Sequence, residues 1–332
     1  MISREDIEKR EYEILSPYAT KAAETKGRQK PEEKCEIRTD FQRDRDRIIH
    51  SKAFRRLMHK TQVFIAPEGD HYRTRLTHTI EVAQIARTIS RGLGLNEDLT
   101  EAIAMGHDLG HTPFGHSGEQ VLSKIYSKGF RHNEQSLRVI DVLEFHGSSR
   151  GMNLTAEVRD GILNHTGPVT PFTPEGQVVK TSDRIAYINH DIDDAIRSGI
   201  ITEEDLPAEC VNILGHSHKK RIDTLVRDMI TNSESSPVIA LSPEKLDAMN
   251  KLRSFMFENV YHNAAAKSAE DMARIEAIIT TLFRYYSDNP EWILREYPDL
   301  AEISSVEELV KDQIAGMTDR YAETKYKEIL SL

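Results

Sequence analysis

Helix-start signals recur along this sequence far more often than strand signals, and they limit the chain to a helical architecture. Asn96 precedes Glu97, Asp98 and an apolar run, the order of a capping amide followed by acids in a first turn. Thr173-Pro174-Glu175 and Ser242-Pro243-Glu244 each set a capping hydroxyl before a proline whose fixed φ suits the first helical position. Ser305 and Glu308 have the spacing of a capping box. Gly92, Gly94, Gly129 and Gly199 fall where the adjoining helices should stop. No segment alternates apolar and polar residues long enough to make a strand. With 17 glycines and 12 prolines in 332 residues, the chain is also short of the turn formers that a many-stranded fold requires. The expectation is an all-α helical bundle with at most a minor β-hairpin, placed in the N-terminal third.

Residues 1–35 read as a charged arm: a short helix near Asp6–Leu15, then a stretch interrupted by Gly27 and Pro31, free or docked on a neighbour. Residues 36–231 read as the core. NSESSP at Asn232–Pro237 opens a C-terminal helical region, 232–332, expected to pack on that core. There Leu252, Phe255, Met256 and Val260, and again Ile275, Ile278, Ile279 and Phe283, recur at three- and four-residue steps and read as core faces. Arg38, Arg43, Arg45 and Arg47 have Asp40, Asp44 and Asp46 at helical spacing, whereas Arg55, Arg56 and Lys60 have no acidic neighbour.

A formal charge of -10 argues against a protein that coats nucleic acid, which needs a basic face. It permits a local arginine cluster that attracts a small anion. No apolar run approaches the ~18 residues of a membrane span, and the charged start MISREDIEKREYEIL is unlike a signal peptide, so a cytoplasmic location is expected. Cys35 and Cys210 stand far apart, outside any C-x-x-C pair, and read as reduced thiols.

The chemistry is written in histidine. Of 14 histidines, His78, His107, His111, His116, His132, His146 and His165 crowd between residues 78 and 165. His107-Asp108 offers an imidazole and a carboxylate, both ligands for a divalent ion. Adjacent helical residues diverge by about 100°, so the two reach one ion only near a helix end. Gly106, Gly110 and Thr112-Pro113 supply such an end. A His-Asp doublet alone is weak evidence. His78, near the start of the helix Leu76–Gly92, and Asp183, on the helix opened by Pro174, complete a set of two histidines and two aspartates able to enclose one ion.

Read together, His78, His107-Asp108 and Asp183 resemble the H…HD…D signature of HD-domain phosphohydrolases. The segments AFRRLMHKTQVF, RTRLTHTIEVAQIAR, GHDLGHTPFGHSGE, FRHNEQSLRV and ILNHTG, with IAGMTDRYA near the C-terminus, are similar to the deoxyguanosinetriphosphate triphosphohydrolase-like proteins. The resemblance is strong over about residues 36–200. It implies an HD-domain helical core with added C-terminal helices, a divalent ion (Mn, Mg, Fe or Zn), a homo-oligomer, and cleavage of a deoxynucleoside triphosphate (dNTP) to deoxynucleoside and tripolyphosphate.

Matched position by position, it implies that His78, His107, Asp108 and Asp183 hold the metal. His116 then matches the catalytic histidine, with Glu119, three residues on, orienting its ring. For the substrate, His111 and His132 match residues of the phosphate pocket, and Arg75 and Arg184 match contacts to the triphosphate. Gln62 and Asp191 match groups for the 3′-hydroxyl, and Tyr187 the aromatic residue against the deoxyribose. Tyr187 and Asp191 lie four and eight residues beyond Asp183, on one helical face. Arg55, Lys60 and Arg73 read equally as added positive potential or as solvated surface. Two alternatives stay open on sequence: another HD hydrolase (a 5′-nucleotidase or phosphodiesterase), or a catalytically silent nucleotide-binding regulator. The preferred base, the native metal and the oligomeric number have no signal in the residues.

Overall fold

The computed structural model describes residues 1–62, 73–261 and 268–332, and among these the chain is helical except for one two-stranded ribbon. The helix starts fall where the capping residues set them. Asn96 accepts from the Leu99 amide to open Glu97–Gly106, and Thr173 accepts from Gly176 to open Pro174–Arg197 with proline in the first turn. Ser305 accepts from Glu308 to open Val306–Ala315. Ser242 stands at the N-cap of Pro243–Met256, but its hydroxyl donates to Asp228 instead of capping. Gly94 and Gly199 take positive φ directly after a helix C-cap, as a helix stop requires, whereas Gly129, also at positive φ, lies three residues past the C-cap Tyr126.

The ribbon pairs Phe145–His146 with Ser149–Arg150, outside the N-terminal third where a hairpin was expected. Gly147, at φ 60, makes its turn. No helix among the described residues is long and apolar enough to cross a membrane.

The N-terminal arm docks along its own chain. Its helix, Arg4–Ile14, buries Glu11, which accepts from the Ala22 amide and from Asn96. Thr20 donates to Glu175, and Arg28 pairs with Asp40 and Asp44. Asp44 therefore finds its partner in the arm and not one helical turn away.

Arg75–Gly92 packs on both Glu97–Gly106 and Pro174–Arg197, and Ala156–Asn164 lies against the latter two. Two glycines allow the closest of these approaches. A Cβ on Gly106 would stand 2.4 Å from Ile162 Cδ1, and one on Gly161 2.5 Å from Ile103 Cδ1. This contact sets His107 and His165, each just past its helix, against one another. One apolar core runs from Phe41 through Ile103 and Ile188 to Leu252, Met256 and Val260. A second joins Phe114, Val121, Leu122 and Phe130 to Ile275, Ile278, Ile279, Leu309 and Ile314. The helices after residue 268 thus brace the segment that carries His116.

Candidate active site

The His-Asp turn is built by its neighbours. Glu97–Gly106 ends at Gly106, and His107 is its C-cap. The turn that follows lies so close to the His132–Arg138 helix that a Cβ on Gly110 would be 2.2 Å from the Ser136 nitrogen. Ser136 ties it down, accepting from the Gly110 amide at 2.9 Å and donating to the His107 carbonyl at 2.8 Å. At this helix end both side chains of the doublet point the same way, as the spacing argument required.

Four side chains converge there. His78 Nε2 lies 3.1 Å from Asp183 Oδ1, and His107 Nε2 lies 3.7 Å from that same oxygen and 3.6 Å from Asp108 Oδ1. His107 Nδ1 bonds the Ala104 carbonyl at 2.7 Å, which leaves Nε2 as the ring nitrogen facing the carboxylates. That nitrogen is buried without a hydrogen-bond partner among the described residues. A buried ring nitrogen left without a partner beside two carboxylates is costly unless a cation completes the set. His78, His107, Asp108 and Asp183 therefore fit a divalent ion. Burial alone would raise both aspartates, yet the positive surroundings, the bonded Arg75 guanidinium among them, hold Asp108 well below the usual carboxylate range, and the hydrogen bond from His78 helps bring Asp183 to about 2. Both are anions, ready to bind.

Beside this quartet runs a second chain of hydrogen bonds. Glu119 Oε1 accepts from the His132 amide at 2.9 Å and from its Nδ1 at 3.0 Å. Glu119 Oε2 accepts from His116 Nδ1 at 3.1 Å. Against its burial, these donors keep Glu119 ionised. His132 Nε2 faces His165 Nε2 at 3.3 Å, while His165 Nδ1 donates to the Ile162 carbonyl. Burial opposes a charge on His132, but Glu119 outweighs it and raises that ring's pKa, whereas burial with His107 and His132 nearby lowers His165 to about 3. His132 thus stands between a carboxylate and a neutral imidazole. His111 stacks on His132 with centroids 4.1 Å apart, and burial beside Arg75 and His132 keeps it neutral.

His116 differs from the rest. Its side chain is 59% exposed on the lining of a cavity, and desolvation by its surroundings lowers its pKa. With Nδ1 donating to Glu119, its Nε2 is left for the cavity.

The cavity is about 650 Å³. His78, Asp108, Asp183, His111, His116 and His132 line one side, and Gln62, Arg75, Tyr187 and Asp191 continue the wall. The structure thus brings together nearly all the residues expected from sequence. Arg75 is buried, with Nη1 donating to Asp108 Oδ2 at 2.8 Å and Nη2 to the Gln62 carbonyl at 3.3 Å. Arg184 is not brought in. One residue past Asp183 it turns to another face of the helix and donates to Asn250 at 2.6 Å. Nor does His146 belong, being exposed on the small ribbon. Lys60 is buried, donating to the His111 and Ala315 carbonyls. Arg73 is held by Glu81, Asp193 and Asp194, and Arg55 donates to the His50 carbonyl.

Sequence reading missed the far wall. Arg253, Phe257, Tyr261 and Met272 line the cavity, and the Tyr261 hydroxyl donates to Asp191. Leu252, Met256 and Val260 are buried as expected. Arg253, Phe257 and Tyr261 follow each of them by one residue, at helical spacing on the adjoining face. The helix widens into a π-turn at Phe257–Tyr261, a feature frequent at functional sites.

Residues 75–188 match the HD domain, and residues 239–328 match the phosphohydrolase-associated domain. The chain is 63% identical to a deoxyguanosinetriphosphate triphosphohydrolase-like protein of Caldanaerobacter subterraneus subsp. tengcongensis, over 98% of this chain and 95% of that one. It belongs to that family. Like-named proteins of Desulfatibacillum aliphaticivorans (48% identical; 99% of this chain, 98% of that one) and Clostridium tetani (49%; 97% and 94%) match over similar lengths. The HD match contains His78, His107, Asp108 and Asp183 with His116, Glu119 and His132. The associated domain supplies Arg253, Tyr261 and Met272 to the cavity, so the site of this phosphohydrolase is built from both.

Proposed function

We propose that the protein hydrolyses deoxynucleoside triphosphates to deoxynucleoside and tripolyphosphate. The observation that carries the reading is that one cavity joins His78, Asp108 and Asp183, which His107 backs from beneath, the Glu119-bound His116, and a wall of Tyr187, Asp191 and Gln62. The triphosphohydrolase-like name of the relatives agrees with it. A bound divalent ion, from Mn, Mg, Fe or Zn, supplies Lewis-acid stabilisation of charge on the α-phosphate.

The chain's own residues do the rest. His111 and the His132 imidazolium bind the phosphates, together with Arg75, whose Nε has no hydrogen-bond partner among the described residues. Tyr187 packs on the deoxyribose, and Asp191 and Gln62 hold the 3′-hydroxyl; Gln62 Oε1 is likewise buried without a partner among the described residues. His116 is kept neutral near pH 7 by its surroundings and oriented by Glu119. Its Nε2 accepts a proton as a water oxygen bonds to the α-phosphorus. The bond from phosphorus to the 5′-oxygen breaks, and that oxygen takes up the proton. We further propose that the protein works in the cytoplasm as a homo-oligomer.

The test is to incubate metal-loaded protein with each dNTP, a deoxynucleoside monophosphate and a cyclic dinucleotide, with His116→Ala alongside. The reading expects turnover of the triphosphates alone, and a variant that keeps its metal while losing roughly 10²–10⁴-fold in rate. Turnover of the monophosphate or the cyclic dinucleotide instead would make the protein another kind of HD hydrolase. Tight dNTP binding without turnover in any metal would make it a regulator.

A further inference from the structure

Residues Ile314–Ala322 lie far along the chain from the histidines, yet they reach the loop that carries Gln62 and the loop that leads into the His116 helix. Phe114, immediately before the His116 helix, has φ 61, and Gly115 follows at φ 56. A bulky L-residue takes the left-handed region only when its surroundings impose it. The Phe114 side chain is buried in the second core. Its amide, at the N-cap of Gly115–Ile125, donates to Asp319 Oδ1 at 2.9 Å. Asp319 Oδ2 accepts from the Thr61 amide at 2.9 Å and from the Thr61 hydroxyl. One carboxylate therefore ties the residue before Gln62 to the residue two before His116.

The two loops touch. A Cβ on Gly115 would fall 2.9 Å from the Gln62 carbonyl oxygen and 2.9 Å from Arg75 Nη2. Close by, the buried Lys60 ammonium bonds the His111 carbonyl and, at 2.9 Å, the Ala315 carbonyl. The end of one helix and the start of the next thus grip the catalytic segment on both sides, at Ala315 and Asp319.

We propose that Asp319 is a positioning residue: it holds Phe114 in its left-handed conformation and so aims His116 and fixes Gln62 beside it. The proposal rests on the reading of His116 as the proton-moving group. It gives the associated domain a part in catalysis beyond lining the cavity.

The test uses the full chain carrying Asp319→Asn and Asp319→Ala, each also combined with His116→Ala. Amide hydrogen exchange is followed in peptides containing residues 61 and 114, and metal content, melting temperature and dNTP turnover are measured. Both variants should keep their metal, exchange faster at those two amides, and lose roughly 10- to 100-fold in kcat, the scale of a misplacement of about 1 Å. In the His116→Ala background a second loss should be absent, because the two residues act as one unit. Wild-type kcat in Asp319→Ala, unchanged exchange at residues 61 and 114, or a full further loss on top of His116→Ala would each overturn the proposal. If Asp319→Ala does not fold, Asp319→Asn decides, since it keeps the shape and loses an acceptor. Absence of dNTP turnover in the unsubstituted protein would instead defeat the functional reading, and exchange at the two amides would still decide whether Asp319 holds the loops.

Discussion

Replacing Glu119 by glutamine changes two atoms' chemistry and almost nothing of the shape, which makes it a sharp probe of the site. As a carboxylate, Glu119 accepts at once from the His132 amide, His132 Nδ1 and His116 Nδ1. A glutamine that keeps its carbonyl on the two His132 donors turns its NH₂ toward His116 Nδ1. Two donors then face each other, and His116 escapes by moving its proton to Nε2, the nitrogen that should offer a lone pair to the cavity. The His132 imidazolium also loses its counter-charge. A wrong histidine tautomer and a lost acid–base group each cost roughly 10²–10⁴-fold in kcat. Loss of one buried charge-assisted bond should lower stability by about 1–3 kcal/mol. Turnover, metal occupancy and thermal unfolding are the assays, with the His116 ring tautomer read by ¹⁵N NMR. The expectation is a large fall in kcat, full metal occupancy and a His116 tautomer shifted to Nε2–H. A variant within two-fold of wild type, while His116→Ala is inert, would refute the orienting role. Loss of metal would make Glu119 a ligand.

His107→Ala and Asp108→Ala should each lose bound metal and turnover together, because either removes one of four converging ligands; full occupancy by elemental analysis in both would defeat the quartet. Tyr187, one helical turn beyond Asp183, should leave a 2′-hydroxyl crowded and unpaired, at about 1–3 kcal/mol, so dGTP should outrun GTP by one to two decades. Equal rates on the two nucleotides would remove the sugar gate, and unchanged discrimination in Tyr187→Ala would assign it elsewhere. Burial, with Asp98 and Glu8 nearby, pushes Glu11 from 4.5 up to about 7. The folded state therefore holds a proton that the unfolded chain releases. This stabilisation, at most about 3 kcal/mol, is complete below pH 4.5 and lost as pH rises through 7. Melting temperatures from pH 6 to 8.5 should fall more steeply for wild type than for Glu11→Gln, and parallel curves would contradict the account.

Much of this was legible in the residues because its causes are local. A capping asparagine or an N1 proline acts within one turn, so the starts at Glu97 and Pro174 could be read directly. The convergence of His107 and Asp108 followed from the helix end after Gly106, and the side-by-side placement of Tyr187 and Asp191 from helical periodicity. Arg184 shows where periodicity stops being enough. Which way its long side chain leans depends on Asn250, a partner 66 residues away. Lys60 read equally as added positive potential or as solvated surface, and it is buried, because its partners are backbone carbonyls that no charge pattern reveals. Arg253, Phe257 and Tyr261 were hidden behind a correctly read core face, since a helix can bury one stripe and turn the next toward a ligand. The arm read as free or docked on a neighbour, yet it lies on its own chain, held by hydrogen bonds and ion pairs at Glu11, Thr20 and Arg28.

Cleavage at the α-phosphorus leaves a signature that hydrolysis in ¹⁸O-labelled water reads out without any variant. Metal-loaded protein is given dGTP in H₂¹⁸O, and the products are separated by anion exchange and weighed by mass spectrometry. The account predicts unlabelled deoxyguanosine and tripolyphosphate carrying one ¹⁸O at its terminal phosphorus. Label in deoxyguanosine, or release of pyrophosphate or orthophosphate in place of tripolyphosphate, would contradict it.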